Sequence, residues 1–130
     1  MKLTQFDVTS AFLYGDLTDE IYMQQPEGYH DGSKKTCRLL KSLYGLKQAP
    51  RCWNERFCNY IIKIGFKCSE ADPCLFIRKN NGNQIKLALY VDDGLVAYDC
   101  EADFGTFLLE IKQEFDITSK PASYYLGLEI

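Results

Sequence analysis

A chain of 130 residues, 46% of them hydrophobic, can bury one core but is too short for two ordinary domains, so residues 1–130 are read as a single domain. The longest strictly apolar run, Leu87 to Val91, has five residues, and the first fifteen carry Lys2 and Asp7 with no unbroken apolar segment, so neither a membrane span nor a signal peptide is expected in these residues. The net charge of -3 is segregated: residues 34–56 hold seven basic side chains against one acidic, whereas residues 87–130 hold two against nine.

In chain order, Leu3-Thr4-Gln5-Phe6-Asp7-Val8 alternates apolar and polar and predicts a short strand with Asp7 near its C-terminal end. Thr9-Ser10 offer caps for a helical turn through Ala11-Phe12-Leu13-Tyr14, stopped by Gly15. Asp19 to Gln24 reads as an exposed strand, Pro26, Gly28, Asp31 and Gly32 as loop, and Cys37 to Leu40 as a weak strand. Pro50 suits the first position of a helix on which Trp53, Phe57, Tyr60, Ile61 and Ile64 recur at helical spacing before Gly65 stops it. That aromatic stripe is read as core.

Cys74 to Ile77, a turn at Asn80-Asn81-Gly82, Ile85 to Val91 and Leu95 to Tyr98 predict a three-strand antiparallel meander. A second helix runs from about Glu101 to Glu114, with Phe104, Phe107, Leu108, Ile111 and the following Phe115 facing inward. Ile117-Thr118 and Tyr124 to Ile130 supply further strand around a turn at Lys120-Pro121. The order predicts an α+β fold, one antiparallel sheet with helices on one face in a split β-α-β arrangement.

Six cysteines form no Cys-x-x-Cys pair, and with the single histidine, His30, they make no zinc-finger spacing. They are read as reduced thiols of an intracellular protein.

The centre of the chain is Tyr90-Val91-Asp92-Asp93-Gly94, in which Asp-Gly between apolar runs signals a turn at or beside Asp92-Asp93. Adjacent carboxylates at a rigid tip repel each other unless a cation or donor array neutralises them. One reading leaves both in water in an exposed turn. The other brings Asp7 and the hairpin tip together on adjacent central strands, as an oxygen-only cluster for Mg2+ or Mn2+. Two such ions about 4 Å apart suit in-line nucleotidyl transfer. A basic block beside acidic ones fits a polyanion held next to such a cluster, and equally a solvated charged face.

Five stretches carry a resemblance: Phe6-Asp7-Val8-Thr9-Ser10-Ala11-Phe12-Leu13, Ile21 to Tyr29, Leu43-Tyr44-Gly45-Leu46-Lys47-Gln48-Ala49-Pro50-Arg51 with Trp53, Tyr90-Val91-Asp92-Asp93, and Tyr125-Leu126-Gly127-Leu128-Glu129-Ile130. In this order the chain resembles the reverse transcriptase of copia-type LTR retrotransposons. The resemblance implies a ferredoxin-like polymerase palm in which Asp7, Asp92 and Asp93 are the catalytic, metal-binding carboxylates, served by two Mg2+ ions for which Mn2+ can substitute. It implies Phe12 under the incoming sugar, Gln48 and Tyr90 at the incoming nucleotide, Val91 against the primer end, and Lys47 and Arg51 on nucleic acid. Read from the residues alone, Phe12 is a core aromatic and Gln48 a helix-entry residue.

The partners implied are an RNA or DNA template with its primer, deoxynucleoside triphosphates, and the rest of a Pol polyprotein. The compartments implied are a cytoplasmic virus-like particle and the nucleus, with no membrane. Only six residues precede Asp7, so the basic fingers that grip the triphosphate, the thumb and the RNase H domain are expected to lie outside these residues, and Lys120 is given no role. The alternative function is a truncated or domesticated fragment that binds nucleic acid or metal without polymerising.

Overall fold

The computed structural model describes residues 1–130. Strand β1 (Lys2–Val8) leads into a 3-10 turn (Ala11–Tyr14), followed by β2 (Tyr22–Met23), β3 (Cys37–Arg38), helix α1 (Ala49–Lys63), β4 (Lys67–Cys68), β5 (Leu75–Asn80), β6 (Asn83–Tyr90), β7 (Asp93–Tyr98), helix α2 (Glu101–Glu114), β8 (Ile117–Pro121), β9 (Tyr124–Tyr125) and β10 (Leu128–Glu129). Six strands form one antiparallel sheet in the order β4-β5-β6-β7-β1-β8, so the fold is α+β with two helices. No helix is long and apolar enough to cross a membrane.

The meander is built as the sequence predicts. Asn81 and Gly82 both take positive φ, 47° and 87°, the backbone that matches hairpin twist, and they join β5 to β6. Cross-strand neighbours then share a face, and one face is dry: Phe76 opposes Leu87, Leu87 opposes Val96, Ile85 opposes Tyr98, and all five are buried. Both helices cover this face. From α1 come Trp53, Phe57 and Ile61, from α2 Phe104, Phe107 and Ile111, and Tyr98 stacks on Phe104 with ring centroids 4.1 Å apart. The stripe on α1 is core, as its spacing predicts. Arg56 pairs with Glu114, and the Tyr60 hydroxyl donates to the Glu110 carbonyl at 2.6 Å, tying the helices side by side.

The other face, bearing Leu75, Ile77, Ala88, Leu95 and Ala97, is only half-buried, and it is where Asp7 and Asp93 point. The β9–β10 hairpin reaches this face through the Tyr125 hydroxyl, which donates to the carbonyls of Ala88 and Asp93 at 3.5 and 3.4 Å.

Three expectations need correction. Asp19 to Gln24 and Cys37 to Leu40 shorten to the ribbon β2–β3, because only Tyr22–Arg38 and Met23–Cys37 find partners. Lys120-Pro121 is not a turn: both residues lie in β8, and Pro121 is tolerated as the last residue of an edge strand whose outer side needs no N–H. Tyr124 to Ile130 is not one strand but a hairpin about Leu126-Gly127, both at positive φ. The turn between β6 and β7 is Val91-Asp92, at the place the Asp-Gly signal predicts, and Gly94 is a strand residue opposite Phe6. Strand β4 is not anticipated by any sequence signal, since two residues carry no periodicity.

Gly94 is required by packing. A methyl group there would fall inside the Phe6 ring, which is buried and held by the core beneath it. Gly94→Ala is therefore expected to cost about 1–3 kcal/mol by overpacking, read as a lowered urea midpoint. A midpoint equal to the parent's would show that Phe6 yields without strain.

Candidate active site

Asp7 and Asp93 are directly opposed on β1 and β7, which pair inside the sheet. Their side chains therefore share the face that the helices leave open. Asp92 sits beside them in the turn, its carbonyl accepting the Val8 amide at 3.0 Å. The Asp7 carboxyl is held above the usual carboxylate range, first by partial burial between strands and then by the charges of Asp92 and Asp93, against which Lys120 acts. Mutual repulsion of this kind is relieved by a cation, and an oxygen-only donor set fits a hard divalent ion. The three carboxylates feel one another's charge, yet they are not drawn into a closed set of three ligands.

A cleft of about 350 Å³ opens here, lined by Gln5, Phe6, Asp7, Asp93, Thr118, Ser119 and Lys120. Lys120 opposes Gln5 on β8, so it shares the face of Asp7 and presents a cation to the same cleft. Sequence reasoning gives Lys120 no role because the segment before Tyr124 looks irregular; Thr118, Ser119 and Lys120 are all polar, and only the pairing with β1 places Lys120 in the cleft.

The turn carrying these groups is strained. Val91 has φ 57° while Asp92 does not join it in the left-handed region, the sign pattern of a type II′ turn, whose first position favours glycine. A β-branched residue there costs about 1–3 kcal/mol and persists only where its surroundings impose it. The surroundings do so at three successive carbonyls. The Trp53 indole N–H donates to Val91 at 2.6 Å, the Val8 amide to Asp92 at 3.0 Å, and the Tyr125 hydroxyl to Asp93 at 3.4 Å. Tyr90 and Val91 are exposed beside the carboxylates.

Phe12 lies in the 3-10 turn, partly buried against the core and packed on Tyr44 with ring centroids 4.7 Å apart. That turn enters through Ser10 at φ 54°, with no side-chain cap, and ends at Gly15, whose missing side chain lets it lie against Cys52 and Trp53 of α1. Gln48 stands at the N-cap of α1, where its carbonyl accepts the Cys52 amide at 2.9 Å and its side chain makes no capping bond. Lys47 and Arg51 flank it, both exposed, with Arg51 paired to Glu55 at 2.9 Å. No hydrogen bond or ion pair joins Phe12, Lys47, Gln48 or Arg51 to the carboxylates, so the structure unites Asp7, Asp92, Asp93 and Val91 directly and leaves these four at the adjoining junction of the 3-10 turn and α1.

The basic block is less free than its sequence implies. Arg38 pairs with Glu20, Lys41 with Asp16, Arg51 with Glu55 and Arg56 with Glu114, leaving Lys34, Lys35 and Lys47 without an ion pair.

Residues 1–130 match the family described as reverse transcriptase (RNA-dependent DNA polymerase). The chain is 40% identical over its whole length to the retrovirus-related Pol polyprotein from transposon TNT 1-94 of Nicotiana tabacum, of which it covers 10%. It is 38% identical over 98% of its length to the retrovirus-related Pol polyprotein from transposon RE1 of Arabidopsis thaliana, covering 9%, and 36% identical over 88% of its length to the truncated transposon Ty1-A Gag-Pol polyprotein of Saccharomyces cerevisiae, again covering 9%. It thus spans about a tenth of the length of these curated relatives. No solved structure matches. The match across the full chain, together with the opposed carboxylates at its centre, places this protein in the reverse transcriptase family, in the branch carried by copia-type retrotransposons.

Proposed function

We propose that residues 1–130 are the palm of an RNA-directed DNA polymerase, a ferredoxin-like split β-α-β unit within a Pol polyprotein that extends a primer on an RNA or DNA template. The observation that carries this reading is the opposition of Asp7 and Asp93 on adjacent strands with Asp92 at the turn beside them.

In the reaction, the primer 3'-hydroxyl oxygen attacks the α-phosphorus of a deoxynucleoside triphosphate in line. A new P–O bond forms, the bond to the bridging oxygen breaks, pyrophosphate leaves and the hydroxyl proton is lost. Two Mg2+ ions, or Mn2+ in their place, when bound supply an acidified hydroxyl and a counter-charge for the leaving phosphates. Asp7, Asp92 and Asp93 would hold them. Lys120 lends positive charge to the cleft wall. Tyr90 and Val91, exposed at the turn, bear on the primer end and the nucleotide, Phe12 and Gln48 on its sugar and base, and Lys47 and Arg51 on the phosphate backbone. Arg51 stays available because its i,i+4 pair with Glu55 is exposed and screened by water, and so holds it only weakly. The fingers, thumb and RNase H domain of the polyprotein would complete the enzyme. The cytoplasmic virus-like particle and nucleus as its compartments rest on family resemblance alone.

Primer extension on an RNA template with Mg2+ or Mn2+ tests this reading by comparing the parent with Asp92→Asn. The variant is expected to fold as the parent does and to lose incorporation by about 10³-fold, several kcal/mol of transition-state stabilisation. Extension by the variant at the parent rate would remove Asp92 from the mechanism. The second reading is a fragment that binds nucleic acid or metal without polymerising. It predicts no synthesis by either protein.

A further inference from the structure

We propose that Trp53 is a positioning residue for the catalytic turn, holding Val91 in its left-handed conformation so that Asp92 and Asp93 face Asp7. This rests on the polymerase reading for its consequence and on geometry for its substance.

Trp53 is spaced as one more core aromatic of α1, and its ring is fully buried beside Phe57 and Phe115. Burial accounts for the ring and not for the nitrogen. An indole N–H buried without a partner is costly, and this one has a single partner, the carbonyl of Val91, at 2.6 Å. Val91 is the residue whose conformation most needs outside support, being β-branched, at φ 57° and about half exposed. The neighbouring grips differ in kind. Val8 contributes a main-chain amide, as any residue other than proline would at that position, and Tyr125 a longer bond from a peripheral hairpin. The indole is the side-chain bond that joins the helix layer to the turn, and it acts one residue before Asp92. It touches no reacting atom; it sets the backbone from which the two carboxylates leave.

The same contact ties the turn to the start of α1, since Trp53 lies five residues beyond Gln48. A shift of that helix end would reach the carboxylates through this bond.

Trp53→Phe keeps an aromatic ring in the core and deletes the donor. Exchange of the Val8 amide, which donates to the Asp92 carbonyl at 3.0 Å, is expected to quicken by about tenfold, the worth of one lost hydrogen bond, while exchange in β5 and at the middle of α2 stays at parent rates. In primer extension, kcat is expected to fall by a similar factor and the Mg2+ midpoint to rise, with KM for template-primer unchanged, a pattern that a purely structural loss of stability does not produce. A parent exchange rate at the Val8 amide in the variant would overturn the proposal.

Should the variant not fold, the parent supplies the test, because Trp53 is the single tryptophan and gives one indole N–H resonance. Protection of that proton to the level of the sheet core, and its movement when Mg2+ is added, support the proposal. Exchange at the rate of an open indole overturns it. Failure of the polymerase reading is visible separately, as a parent whose Asp7, Asp92 and Asp93 resonances ignore Mg2+; the exchange rates of the turn do not depend on that outcome.

Discussion

Asp7→Asn is expected to abolish incorporation while raising thermal stability at neutral pH. The two effects have one origin. Asp7 lies opposite Asp93 and beside Asp92, and its carboxyl is held above the ordinary range by partial burial and by those charges. A group whose folded pKa is raised contributes stability that is fully present below its unfolded pKa and lost as pH rises through the folded value. At pH 7 the parent therefore carries a charge that Lys120 offsets only in part, and asparagine removes it. The gain in Tm is small, because Asp7 keeps access to solvent and Lys120 offsets part of the repulsion. It is expected to shrink as pH falls through the folded pKa and to vanish below about 3.8, where the parent's carboxyl is itself protonated. Activity is expected to drop by at least about 10³-fold, since a neutral amide is a poor ligand for a hard divalent ion. Thermal melts of both proteins between pH 3 and 8, run beside primer extension, check both halves. A variant that melts below the parent at pH 7 would show that Asp7 is stabilised in place and not strained.

Phe115→Ala is expected to cost about 3–5 kcal/mol, a large share of the 5–15 kcal/mol that holds an ordinary domain together. Phe115 follows the last turn of α2, where its amide donates to the Ile111 carbonyl at 2.9 Å, and its ring is buried. Tyr14, Trp53, Phe57 and Tyr60 surround it with centroids 5.1, 5.2, 5.8 and 5.5 Å away, and the Arg56 guanidinium lies 5.1 Å from its centre. One ring thus joins the 3-10 turn, α1 and the end of α2, and removing it leaves a cavity that stiff aromatic neighbours cannot close. The urea midpoint is expected to fall sharply at unchanged slope, and a midpoint near the parent's would show that the neighbours collapse into the space. The loss also loosens the packing around Trp53, so any incorporation that survives should show a raised Mg2+ requirement.

Both helices were legible in the sequence because apolar spacing and punctuation agreed: Pro50 falls at the start of α1 and Gly65 just beyond its end, and α2 spans Glu101–Glu114 as its periodicity predicts. The β5–β6 hairpin was legible because Asn-Gly is a local turn instruction. The errors lie where the deciding partner is distant. Lys120-Pro121 looks like a turn until β1 is seen to pair with it.

The candidate site divides along the same line. The identities of Asp7, Asp92 and Asp93, the oxygen-only chemistry they imply and the α+β class follow from residue type and local period, which short-range physics sets. The tertiary structure alone decided that β1 inserts between β7 and β8, so that Asp7 meets Asp93, that Lys120 enters their cleft, and that the buried indole of Trp53 grips Val91. Each of these is a pairing between segments tens of residues apart, selected by the burial of one sheet face under two helices, and no local propensity encodes it.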